Sequence, residues 1–285
     1  MRVLILLAVT FAGFVVALVG LIPFSDDVTA GAGAISAMTV TQDLLLFIVP
    51  AIVAVAICFK RPMNFLRLNV GPSWTDILVV LAVFIAFIPA MNWLVDWNNN
   101  LSLPDSMATV ERWMRKSEDD AQALTEMLLH TDSLLAMLGI TFVVGIMAGF
   151  SEEIYFRGAF QQFISSDGKR NAFAVILTAI IFSAFHFQFY GFFPRMLLGM
   201  WLGYLLVKSE SLWTPIIAHS LNNSTVVVAT YLADRGMIAD KAIDNIGLPA
   251  DGQFPWLAIG SAVVTAAIIG SYHLFYKKSR QIESV

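Results

Sequence analysis

From Leu134 to Phe150 the chain is almost wholly apolar, and it then runs directly into Glu152, Glu153 and Arg157 with aromatic residues between them. A helix of that length and apolarity belongs in a bilayer. Charged groups at the bilayer centre cost roughly 2.5–3.5 kcal/mol each on insertion scales, so they pair with one another or do chemistry. Whatever fold the chain adopts must supply partners for these three. The same constraint recurs along the sequence. Hydrophobic residues make up 58% of it and charged residues 13%, about half the charged share of a soluble domain. Apolar runs of about 20 residues alternate with polar segments, the pattern of a polytopic membrane protein. The expected fold class is therefore all-α: a transmembrane helical bundle of about eight spans.

Taken in order, the expected helices cover 3–22, 44–59 with a kink at Pro50, and 77–95. The first exceeds the 7–15 apolar residues of a signal peptide and reads as an uncleaved span. A loop with Asp26 and Asp27 follows it. The longest polar segment, 96–132, holds a candidate surface helix over 107–129, with Ser106 or Thr109 as its N-cap. A helix from 134 carries the Glu-Glu stretch to a polar turn at 165–170. Helices then follow at 171–189, 196–207, 213–233 and 254–276, with Gly191 to Pro194 as a break. Lys and Arg gather in alternate loops: Arg2, the 60–67 loop, Lys169 and Arg170, Lys208, and the end from Lys277 to Arg280. That distribution puts both termini in the cytoplasm. The organisation expected is 1–133 (three spans and an acidic extracytoplasmic segment), 134–233 (a helical core) and 234–285 (an acidic loop and the last span).

The net charge of −4 says little about partners. No basic patch, phosphate-cradling Gly-rich loop or zinc-finger spacing points to nucleic acid or nucleotide. Cys58 is the only cysteine, which leaves no intrachain disulfide.

The polar residues of the core have a geometry that can be drawn from their numbers. Position 169 is midway between 152 and 186, so in an antiparallel hairpin Glu152 and His186 stand at one height, about 25 Å from the turn at 1.5 Å per residue. Continuing the chain brings His219 to a similar depth. Glu153 and Arg157, four apart, share a helix face and can form an ion pair. Glu152 points about 100° away from Glu153 and lacks that partner. His219 and Asn223 share a face, and Phe182 lies one turn before His186. A Glu and a His can activate water, and a second His with an Asn amide can donate hydrogen bonds to a developing oxyanion. Singly, each has a bland reading: a structural ion pair, an interfacial histidine, or interhelical glue. His130, in the acidic segment, and His273, in the last helix, read as bystanders.

The series Glu152-Glu153-x-x-x-Arg157, Phe182-x-x-x-His186 and His219-x-x-x-Asn223 resembles the three-motif signature of the CAAX prenyl protease type II and bacteriocin-processing (CPBP, or Abi) family of intramembrane endopeptidases. The likeness covers about 134–233, with all three motifs in order on separate helices. It implies an eight-helix fold and cleavage of membrane-associated peptide or protein substrates in a bacterial plasma membrane. Carried over, Glu152 and His186 activate the attacking water, His219 and Asn223 bind the oxyanion or take part in coordination, and Glu153, Arg157 and Phe182 brace the site. Family members have been described both as metalloproteases and as metal-independent glutamate proteases. Glu152, His186 and His219 could hold zinc and leave a position for water. The lack of a His-Glu-x-x-His motif and an unpaired Glu beside a His favour a site without a cofactor.

Two rivals stand beside this reading. A rhomboid-type serine protease could use Gly149-x-Ser151 with His219 as base, but Glu152 follows where that pattern has Gly, and two motifs go unexplained. A transporter or a non-catalytic immunity or scaffold protein could use the polar layer as a path or a brace. Against a transporter, the two halves hold no paired Gly/Pro-broken helices. Substrate identity, prenylation and oligomeric state are not encoded in any motif here.

Overall fold

The computed structural model describes residues 1–21, 32–165, 171–250 and 253–283, and within them all regular structure is helical. The expected Asp26–Asp27 loop and nearly all of the 165–170 turn lie outside the described residues. The helices are α1 (Arg2–Leu21), α2 (32–58), a single turn α3 (Pro62–Phe65), α4 (Trp74–Asn99), α5 (Ala108–Leu129), α6 (Leu134–Ile164), α7 (Asn171–Ala184), α8 (Phe192–Ser209), α9 (Trp213–Asp234) and α10 (Trp256–Glu283). Among the described residues five stretches are long and apolar enough to cross a membrane: Ile35–Cys58, Trp74–Asn99, Leu134–Ile164, Phe189–Ser209 and Trp256–Lys278. The chain is thus a multi-pass helical membrane protein. Arg2–Leu18 and Asn171–Ala184 are apolar but shorter. α9 is continuous but carries the polar residues His219, Asn222 and Asn223, and it falls outside this group.

Several boundaries differ from those expected, each for a local reason. α2 begins at Ala32, well before position 44. Its weakly apolar first turns hide their polarity: the hydroxyls of Thr39 and Thr41 donate back to the carbonyls of Ile35 and Ala37. Ahead of Pro50, which has no N–H to give, the helix widens into π-type winding over Asp43–Ile48. α4 starts earlier than expected because Ser73 and Asp76 form a capping box, each side chain bonding the other's backbone N–H. α5 has Met107 as its N-cap with no side-chain bond, so neither Ser106 nor Thr109 caps it; a short 3₁₀ turn, Asp105–Met107, leads in instead. α8 begins at Phe192 with Pro194 in its first turn, where the missing N–H costs nothing. α7 stops at Ala184 and not at position 189. Phe187 there takes a left-handed backbone, φ 53°.

Polar side chains then tie the helices together. Asp76 is buried and accepts hydrogen bonds from the hydroxyls of Tyr272 (2.6 Å) and Tyr276 (2.7 Å), fastening the start of α4 to α10. One turn of α4 is broken around Pro89, and the hydroxyl of Ser261 on α10 fills it, accepting from Ala90 N–H and donating to the Ala86 carbonyl. In a bilayer such freed backbone groups need a partner from a neighbouring helix.

α6 and α9 approach through small residues. A Cβ at Gly149 would stand 2.8 Å from Ser220 Oγ and 3.0 Å from its backbone nitrogen. Gly149→Val is therefore expected to destabilise the protein by about 1–3 kcal/mol, read as a lower unfolding temperature in detergent. Gly139→Val, at a position with nothing within 4 Å, should lower it less.

Candidate active site

The central turns of α6, Ala148–Glu153, are ordinary α-helix flanked on both sides by wider π turns at Thr141–Met147 and Ile154–Gln161, and the helix returns to α winding at its two ends. Such widenings often mark functional sites, because they re-aim successive side chains. Here Glu153 and Arg157 point into the bundle with their side chains fully buried, while Glu152 faces an open cavity and is 16% exposed.

Arg157 donates to Glu153 Oε1 and, at 3.2 Å, to the Gly199 carbonyl on α8; its guanidinium lies 4.4 Å above the Phe182 ring. Glu153 Oε1 also meets His219 Nδ1 at 2.8 Å. Glu153 is thus shared between an arginine and a histidine, a partnership beyond the simple i, i+4 pair. Because a carboxylate can only accept, His219 Nδ1 carries the proton, and Nε2 is the atom turned to Glu152, 3.8 Å from its Oε2. That Glu152 oxygen is buried and has no hydrogen-bond partner.

His186 lies beyond the end of α7. Its Nδ1 is 2.9 Å from the Phe182 carbonyl, which again fixes the proton on Nδ1 and leaves Nε2 as an acceptor. Phe182 is buried between the two imidazoles, edge-on to both, with ring centroids 5.0 Å from His186 and 5.8 Å from His219. Asn223 donates to the Val144 carbonyl on α6 and accepts from Asn222, both at 3.3 Å.

Glu152, Phe182, His186, His219 and Asn223 all line one open cavity of about 440 Å³. The structure therefore brings together the residues that the spacing put at one level. The same cavity holds Glu118, Asn222 and Arg195, which sequence reasoning did not single out. Arg195 donates to the Gln188 side chain at 2.8 Å and packs over the backbone of Gly191. A lone Arg in the first turn of an apolar helix was the available signal for it. Glu118 gave no signal, since it lies among many charges on α5.

Ser151 is fully buried, and its hydroxyl donates to the Ala148 carbonyl, away from the cavity. His130 pairs with Asp234 at 2.7 Å, and His273 Nδ1 stands 3.4 Å from the Tyr204 hydroxyl, both remote from Glu152 in their contacts. Among the described residues no three His, Cys, Asp or Glu side chains are grouped so as to hold a metal ion. Glu152, His186 and His219 do not form such a ligand set as they stand.

Fold and site together define a class: a multi-pass helical membrane protein whose polar centre combines a carboxylate, two imidazoles and an amide. Residues 134–225 match the family model described as type II CAAX prenyl endopeptidase Rce1-like, so the chain carries a domain of that protease family. The match begins with α6 and ends within α9, taking in all three motifs; α1–α5 and α10 lie outside it. No curated protein and no solved structure matches the chain significantly.

Proposed function

We propose that the protein is an intramembrane endopeptidase that hydrolyses peptide bonds in membrane-associated proteins or peptides. The observation that carries this reading is the buried, unpartnered Glu152 Oε2, 3.8 Å from His219 Nε2, in one cavity with His186 and Asn223. Water enters between Glu152 and His186 Nε2. Glu152 takes one of its protons as the oxygen attacks the scissile carbonyl, with His186 Nε2 accepting a hydrogen bond from the same water. The carbonyl oxygen becomes an oxyanion, which accepts from the Asn223 amide and from His219 Nε2–H when that ring is protonated on both nitrogens. Glu153 then stabilises the imidazolium through Nδ1. Collapse of the tetrahedral intermediate breaks the C–N bond, and Glu152 returns its proton to the leaving amine. In this reading α1, α2, α4 and α6–α10 are eight spans in a bacterial plasma membrane, with both termini in the cytoplasm.

The test compares peptides from membranes holding wild-type protein with those holding the Glu152→Gln variant. Products that appear only with wild type, from membrane-associated proteins, support a protease and name its substrates. Identical profiles, with a cellular phenotype that survives Glu152→Gln and His186→Ala, would turn the assignment to a scaffold.

The chemistry above needs no metal. Purified protein is therefore expected to keep its activity after dialysis against EDTA, with no stoichiometric zinc by elemental analysis. Loss on chelation and recovery with zinc would replace this mechanism with a metal-bound one.

A further inference from the structure

His186 sits on the stretch 185–191, between α7 and the first turn of α8, and that stretch has no continuous helical ladder. Phe187, next to His186, holds a left-handed backbone without being glycine. Such a conformation costs roughly 1–2 kcal/mol and persists only where the surroundings impose it. Asn98 on α4 and Arg195 on α8 hold the Phe189 and Gln188 carbonyls, and the remaining grips come from α5. Ser117 Oγ donates to the Phe187 carbonyl at 2.9 Å, and Tyr190 N–H donates to Glu118 Oε2 at 3.0 Å. The Arg115 guanidinium lies 4.3 Å over the Tyr190 ring, and Trp113 packs on Phe189 with centroids 5.1 Å apart. Glu118 and Gln122 also form part of the cavity wall with Glu152 and His186.

A helix that only covered a surface would be held mainly through its apolar face. The far end of α5 does bury Leu128 and Leu129, but beside His186 Trp113 stays more than half exposed against Phe189, and polar side chains grip the backbone at and just after the strained turn.

We propose that α5, which lies outside the matched family domain, is a working part of the active site, with Ser117 and Glu118 as positioning residues that hold His186 where it meets the water. The proposal rests on the protease reading above. If the Phe187 carbonyl and the Tyr190 amide lose their partners, the turn relaxes and the imidazole moves. A misplacement of about 1 Å costs on the order of 10²-fold in rate.

The experiment uses full-length protein in detergent and a synthetic peptide bearing a cleavage site found in the membrane comparison. Ser117→Ala and Glu118→Ala, singly and together, are expected to lower kcat by about ten- to a hundredfold with KM nearly unchanged. Glu118→Gln keeps an acceptor oxygen for Tyr190 N–H and should recover most of the rate. Hydrogen exchange followed by mass spectrometry supplies a readout independent of turnover: amides of 185–191 should exchange faster in the Ala variants, and those within α7 and α8 should not. Wild-type kinetics and exchange in the Ala variants would overturn the proposal. So would a Glu118→Gln variant as impaired as Glu118→Ala, since charge and not position would then be the cause. If exchange responds as expected but wild type cuts no peptide that Glu152→Gln leaves whole, the protease reading fails, and the catalytic role of α5 fails with it.

Discussion

Glu152→Gln is expected to lower peptide cleavage by about 10²–10⁴-fold and to leave the unfolding temperature within error of wild type. The substitution keeps shape and volume and removes only the ability to take up and return a proton. Glu152 has few structural duties to lose: one carboxylate oxygen is buried without a hydrogen-bond partner, and its nearest charged or imidazole contact is His219 Nε2 at 3.8 Å. His186→Ala should act in the same range, since it removes the free Nε2 acceptor while Phe182 and the helix behind it stay in place. Rates on a defined peptide and thermal unfolding in detergent, measured on the same preparations, test both. A Glu152→Gln enzyme with near wild-type kcat would end the proposed mechanism.

The neighbouring glutamate should behave in the opposite way. Glu153→Ala is expected to destabilise the protein by about 3–5 kcal/mol, because it strands a buried guanidinium without its counter-charge. Arg157 is the largest fully buried side chain among the described residues, and Glu153 is likewise shielded from solvent. The Gly199 carbonyl and the Phe182 ring that also touch Arg157 cannot supply a negative charge. His219 would lose its Nδ1 partner as well, so activity should fall together with stability. Replacing both members, Glu153→Leu with Arg157→Met, should recover much of the unfolding temperature, since the desolvation cost of the pair disappears with it. It should not recover cleavage, because His219 remains unheld. Equal unfolding temperatures for Glu153→Ala and wild type would mean that this pair does not brace the core. Two adjacent residues of one type thus separate chemistry from stability, and one set of melts and rates on four variants reads both.

The reason lies in which way each faces. Glu153 and Arg157 were legible in the sequence as an i, i+4 pair, because helical neighbours are fixed by the helix itself. That Glu153 also serves His219, 66 positions later, was not legible, because nothing local couples α6 to α9. The end of α7 at Ala184 is not legible for a related reason. Phe185 to Phe189 continue the apolar, aromatic character of the helix, and no glycine or proline marks the left-handed turn at Phe187. The turn is held by side chains distant in sequence, Ser117 and Glu118 on α5 and Asn98 on α4. Arg195 and Glu118 entered the cavity unannounced on the same grounds, each aimed by the docking of its helix.

Short-range physics is what the amino-acid order determined on its own. Long apolar runs require helices in a low-dielectric slab, since an unbonded backbone group there costs several kcal/mol, and hairpin arithmetic brings Glu152, His186 and His219 to one depth. Depth along a helix follows from a fixed rise per residue, whereas rotation and tilt about that axis follow from packing against other helices. Only the assembled bundle therefore decided that Glu152 faces the cavity and Glu153 the interior, which nitrogen of each histidine is free, and that a helix outside the family domain grips the turn bearing His186.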